Sequence, residues 1–191
     1  MTAPSACDPG ALHADARAVL SAYDPGDDDA QRALATEYVA FLDAHDDAMW
    51  RACVDGHVTG SVLVLSADRT QVLLTLHATI KRWLQLGGHC EVGDASLRGA
   101  AAREGLEESG ILGLVVSDVP LRLDRHRVGC HGGSWHLDVQ YAAVAPADAV
   151  AVISDESLDL QWWPVDALPH DTDDALRALV AAALRRGPDL G

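Results

Sequence analysis

Two hydrophobic rhythms run along this chain, and they change over near residue 57. Ahead of that point, "ALHADARAVLSAY" carries apolar residues at helical spacing until "DPGDDD" interrupts it with Pro25, Gly26 and a run of aspartates suited to the positive end of a second helix. That helix is predicted from about Asp28 to His45, with Leu34, Tyr38, Phe41 and Leu42 as its apolar stripe. The opening "MTAPSACDPG" reads as a frayed tail. From His57 the rhythm is that of strands: "HVTGSVLVLS", a turn at "ADRT", then "QVLLTLHA", which together predict a β-hairpin. A short strand "RWLQL" runs into Gly87-Gly88; "ILGLVVSDV", "LRLDRHRV", "WHLDVQYAAVA" and "LQWWPVDAL" follow a glutamate-rich helical stretch. A last helix is expected over Thr172–Arg186, capped by Asp171 or Thr172 and stopped by Gly187-Pro188. The order predicts an α/β fold with a mixed sheet packed between helices (residues 53–191), preceded by an N-terminal helical extension (residues 1–52).

Composition narrows the range of partners. The chain has 191 residues, enough for one domain with a substantial core, and is 49% hydrophobic. A formal charge of −15 argues against a surface that tracks a nucleic acid polymer, which needs clustered Lys and Arg. Any phosphate-bearing ligand is therefore expected to be small and locally neutralised, for instance by a divalent cation. Cys7, Cys53, Cys90 and Cys130 are widely spaced and show no paired motif, which fits reduced thiols in a cytoplasm. Apolar runs such as "VTGSVLVL" and "AVAPADAVAVI" are too short to cross a bilayer, so no membrane role is expected.

The stretch from Leu84 to Ile111, "LQLGGHCEVGDASLRGAAAREGLEESGI", is where chemistry concentrates. At 100° per residue, Glu104 and Glu108 are about 40° apart and Glu107 lies about 60° to the other side of Glu104. Like charges so placed repel by roughly 0.2–0.5 kcal/mol per pair. Gly99 and Gly105 inside the same helix each cost on the order of 1 kcal/mol relative to alanine, so they point to a helix lying tight against the sheet. Converging carboxylates suit Mg²⁺ or Mn²⁺, which would remove the repulsion. Arg103, four residues before Glu107, can hold that carboxylate in one rotamer. Gly87 and Gly88 allow a sharp backbone turn with unhindered amides and carbonyls beside the cation. The plain alternative is a solvated helix face with an Arg–Glu pair.

These residues resemble the signature of the Nudix family: G, five residues, E, seven residues, R-E-U-x-E-E-x-G-U, where U is a bulky aliphatic residue. Gly88, Arg103, Glu104, Glu107, Glu108, Gly110 and Ile111 occupy matching places, and a weaker likeness runs from about His57 to Leu168. Three positions depart from the pattern. Asp94 stands where the family has glutamate, one extra residue separates it from Arg103, and Gly105 replaces the bulky aliphatic residue. Asp94 is then either a metal ligand or the N-cap of the helix that follows. The resemblance implies an α/β/α sandwich and a metal-dependent hydrolase that cleaves the diphosphate of a nucleoside diphosphate linked to another moiety. On that reading Glu104, Glu107, Glu108, Gly88 and Asp94 form the metal set, Arg103 supports it, and Glu104 or Glu156 is the general base.

Other polar residues supply candidates for substrate contact. An anionic substrate needs local cations, available at Lys81 and Arg82 and at Arg122, Arg125 and Arg127. Gly87 and His89 flank Gly88, and Trp135 either stacks on a base or packs against the strand after it. His77 and His126 read as pocket-lining or core-edge residues. Cys90, Cys130, His131 and His136 lack the close ligand pairs of a structural zinc site. The helical extension makes a homodimer plausible. Two other functions compete: a non-catalytic nucleotide-binding module, and an isoprenoid diphosphate isomerase, for which no cysteine is clearly paired with a glutamate.

Overall fold

Strand β1 (Gly56–Leu65) is buried at all ten positions, and both of its edges are paired. The computed structural model describes residues 9–129, 133–155 and 157–187. One edge of β1 runs parallel to β7 (Ser134–Val144) in an unbroken register from Gly56↔Trp135 to Leu65↔Val144. The other edge changes partner. Val64 and Leu65 pair with β2 (Gln71–His77), whereas Thr59 to Val62 pair with β4 (Leu86–His89). Between β2 and β4 the sheet therefore forks. Strand β2 continues to β3 (Trp83–Leu84) and β8 (Ser157–Pro164), while β7 carries β5 (Val115–Val116) and β6 (Arg122–Val128), giving a mixed eight-stranded sheet.

The period of two along β1 and β7 sorts side chains to opposite faces. Val58, Val62, Val64, Val139 and Tyr141 face a core shared with α1 (Pro9–Ala22), α2 (Asp29–Ala44) and α3 (Leu97–Ser109). Leu63, Leu65 and Ala142 face α4 (Asp174–Arg186), which buries Leu176, Leu179 and Val180 on them. The result is the α/β/α arrangement expected. Closer to the fork, the α4-facing side turns polar at His57, Thr59, Ser61, His136, Asp138 and Gln140. None of the described helices covers it there.

The N-terminal helices share the first of these cores. Leu12, Leu20 and Leu42 are fully buried, each worth about 1.5–3 kcal/mol over an exposed position. Asp28 caps α2 by accepting from the Gln31 amide, and the expected stripe is seen, with Tyr38 and Leu42 buried and Leu34 and Phe41 partly so. Gln31 itself is buried: its amide donates to the Leu123 carbonyl at 2.9 Å and its Oε1 accepts from the Leu123 N–H at 2.7 Å. Tyr38 donates to the Asp124 carbonyl at 2.7 Å. In α1, Asp15 accepts from the Leu97 N–H at 2.8 Å, satisfying a donor at the start of α3.

Several boundaries differ from expectation. The cap of α4 is Asp173, not Asp171 or Thr172, because those two are taken up by β3: Thr172 donates to the Trp83 carbonyl and the Asp171 carbonyl accepts from the Trp83 N–H. The expected strand "ILGLVVSDV" shrinks to Val115–Val116, since Gly110 (φ 66°) and Gly113 (φ 78°) turn the chain first. None of the described helices is long and apolar enough to cross a membrane.

A candidate active site between the glutamate helix and the sheet

Helix α3 is capped by Ser96, which accepts from the Gly99 N–H at 3.0 Å, and it ends on Gly110 in the left-handed conformation. Its buried face is made of Leu97, Ala100, Ala101, Gly105 and Ser109. A Cβ on Gly105 would lie 2.9 Å from Val62 Cγ1 and 3.2 Å from Leu114 Cδ1, so this helix does press on the sheet, and the aliphatic residue of the family pattern has no room here. Gly60 on β1 contributes to the same approach, its added Cβ meeting the Ala101 nitrogen at 3.3 Å. Gly99 does not; it is exposed beside its cap.

Such close packing brings the glutamates onto the glycine pair of β4. A Cβ on Gly88 would sit 2.6 Å from Glu104 Oε1, so a side chain there would push that carboxylate from its place. Gly87, at φ 154°, donates its N–H to Glu108 Oε2 at 3.2 Å, and its own Cβ would strike Ser61 Cβ at 2.4 Å. Arg103 ties the cluster together. It donates to Glu104 at 3.0 Å, to Glu107 at 2.8 Å, to the His89 carbonyl at 2.9 Å, and to both oxygens of Asp94 at 3.0 Å each. Asp94 is buried and also accepts from the Glu91 N–H. Its hydrogen bonds do most to raise the guanidinium pKa above its ordinary value.

A cleft of about 480 Å³ opens at the sheet fork, within the range of small-molecule sites. Glu104, Glu107 and Glu108 line it with Gly87 and Gly88; Thr59, Ser61, His136 and Asp138 form its floor. Asp138 is 4% exposed and accepts from Thr59 at 3.0 Å, Ser61 at 2.7 Å, Gln140 at 3.2 Å and Gln85 at 3.3 Å. Desolvation raises its pKa despite these donors. Arg51 lines the cleft, as does His126, whose Nδ1 pairs with Asp124 and whose pKa is raised by that bond.

The expected site residues divide into three groups. Glu104, Glu107, Glu108, Gly87, Gly88, His89 and Arg103 meet at the cleft, and His77 and His126 line it as anticipated. Arg82 is exposed and Asp94 is buried; neither lines the cleft. Asp94 is not the helix cap, which is Ser96; both of its oxygens accept from the Arg103 fork. Arg125 and Trp135 lie on the opposite face of the sheet. Arg125 pairs with Glu37 of α2 at 2.6 Å and stacks over the Trp135 ring at 4.8 Å, with Arg127 over the same ring. Period-two alternation puts their neighbours His126 and His136 on the cleft side instead. Glu156, Cys130 and His131 lie outside the described residues. Cys90 is a buried free thiol, pushed up to about 12 by desolvation. Arg51 and Asp138, unmarked by any local motif, were not anticipated.

Three carboxylates beside two glycine backbones are the oxygen donors that a hard divalent cation takes, and the space kept over Gly88 fits that use. The NUDIX domain family model matches residues 56–183, well over half of the chain. This protein belongs to the Nudix family. Its fold is similar to that of a NUDIX-family hydrolase from Clostridium perfringens (24% identity, TM-score 0.59, covering 68% of this chain and 97% of that one). It is similar also to the E. coli dihydroneopterin triphosphate pyrophosphohydrolase (20% identity, TM-score 0.57, 68% and 96% covered). The NUDIX domain of Shewanella oneidensis NrtR, solved with ADP ribose, matches at 20% identity and TM-score 0.55, covering 77% of this chain and 96% of that domain. A search of curated proteins found no match. The Nudix match begins at Gly56, so α1 and α2 precede the matched region.

Proposed function

We propose that this Nudix protein hydrolyses a diphosphate bond in a nucleoside diphosphate linked to another moiety, using Mg²⁺ or Mn²⁺ held by Glu104, Glu107, Glu108 and the backbone of Gly88. The observation that carries the reading is the fixation of Glu104 over Gly88 and of Glu108 on the Gly87 N–H, with Arg103 bridging Glu104 and Glu107. When bound, the cation supplies neutralisation of the charge developing on the diphosphate and makes an attacking water more acidic.

The chain's own residues do the rest. Arg103 is a positioning residue: anchored on Asp94, it orients two of the glutamates and keeps their mutual repulsion small. Arg51 at the cleft wall receives the phosphate oxygens. Water adds to one phosphorus, its proton passes to a carboxylate, and the bond from that phosphorus to the bridging oxygen breaks to release the second phosphate with its substituent. Glu104 and Glu156 are the candidate acceptors of that proton. Glu104 lines the cleft, and Glu156 precedes the cleft-lining Ser157 in sequence.

A hydrolysis screen over ADP-ribose, sugar nucleotides, dinucleoside polyphosphates and nucleoside triphosphates, each with and without Mg²⁺ or Mn²⁺, tests the proposal. Metal-dependent release of a phosphate-bearing product supports it. Tight nucleotide binding with no product from any of them would favour a non-catalytic module instead.

A further inference from the structure

Three histidines outside the glutamate cluster meet although they come from three separate strands. His57 on β1 and His136 on β7 are register partners, and His89 on β4 enters one step along, opposite Thr59. Ring centroids are 4.7 Å apart for His57 and His136, 5.0 Å for His57 and His89, and 5.2 Å for His89 and His136. One ring nitrogen from each can be chosen so that all three lie within 4.8 Å of one another, among the described residues the only such group of His, Cys, Asp and Glu.

Packing alone gives a poor account of this cluster. The Nε2 atoms of His89 and His136 are buried with no hydrogen-bond partner. Such atoms forfeit hydration for nothing, and apolar side chains would fill the same positions without that loss.

We propose that His57, His89 and His136 form a second metal site, selective for a borderline divalent cation of the Zn²⁺, Co²⁺ and Ni²⁺ class and separate from the oxygen-donor site of the glutamates. Imidazole suits these ions, whereas carboxylates suit Mg²⁺ and Mn²⁺. Tetrahedral coordination at about 2.0–2.1 Å sets ligand nitrogens roughly 3.4 Å apart, so small ring rotations close the observed spacing. Three protein ligands leave one position open. His57 is fully buried while His89 and His136 line the cleft, so the open position faces the cleft, where water or an anionic ligand oxygen completes the shell.

The site stands or falls independently of hydrolysis. Full-length protein, stripped with a chelator and held in excess Mg²⁺, is titrated with Co²⁺ while visible d–d absorption and bound-metal stoichiometry are recorded. One equivalent of tetrahedral Co²⁺, displaced by Zn²⁺, is expected. His89→Ala and His136→Gln should each weaken it by about tenfold or more, with circular dichroism confirming the fold. The Glu104→Gln/Glu108→Gln double variant should retain it. Should a histidine variant fail to fold, carbethoxylation of the wild-type protein decides: Zn²⁺ is expected to protect His89 and His136. Absence of Co²⁺ bands in folded wild type, bands that survive both histidine variants, bands lost only with the glutamates, or histidines modified equally with and without Zn²⁺ would each overturn the proposal.

Discussion

The glutamate rim and the histidine wall share one cleft and assemble by opposite means. The rim draws its donors from within about one turn of a helix; they carry charge, and Glu107 remains 55% exposed. The wall draws imidazole rings from β1, β4 and β7, whose members are separated by dozens of residues in sequence. Helical periodicity places neighbours in sequence side by side, so the rim can be found by counting along one segment. Strand register places distant residues side by side, so the wall exists only once the sheet is built.

The strongest way to break this comparison is to disable the rim. Glu108→Gln should fold normally and lose two orders of magnitude or more in kcat on a responding substrate, the scale set by removing one electrostatic stabiliser. Full activity in that variant would exclude the rim as the centre of the reaction. Next in size is Asp94→Ala, which strips Arg103 of its buried partner although Asp94 does not itself line the cleft. We expect about a tenfold fall in kcat, on the scale of lost second-shell support, with a midpoint shift in urea unfolding; unchanged kcat would remove Arg103 from the positioning role. Replacing Gly105 by leucine, as the family pattern has it, should cost about 1–3 kcal/mol in the same unfolding measurement, because the added atoms meet Val62 and Leu114. The smallest effect belongs to the far face. Arg125→Ala removes an exposed pair with Glu37, about 0–1 kcal/mol, and should leave KM where it was; a large rise in KM would bring that face back into substrate binding.

The same contrast governs how much was legible from residues alone. The rim glutamates, their glycine pair and the helix that carries them follow from local spacing, as do the β1–β2 hairpin and the buried stripe of α2. Asp94 was legible as important but not as the anchor of Arg103, since the two compatible readings depended on where α3 begins, and Ser96 decides that. Trp135 and Arg125 lie away from the cleft because a one-residue offset along a strand exchanges one face of the sheet for the other. His57 and Asp138 carry no local signal. Both look like ordinary strand residues until β1 and β7 are set in register.

Helix α2 has a consequence for the shape of any shortened version of this protein. Strand β6 pairs with β7 on one side only, and on its other side the Gln31 amide group takes both main-chain atoms of Leu123, mimicking an adjoining backbone. Cutting away the first 52 residues would bare that row of donors and acceptors and uncover the apolar surface beneath. The trimmed molecule would then offer a template onto which a second molecule could stack, strand against strand.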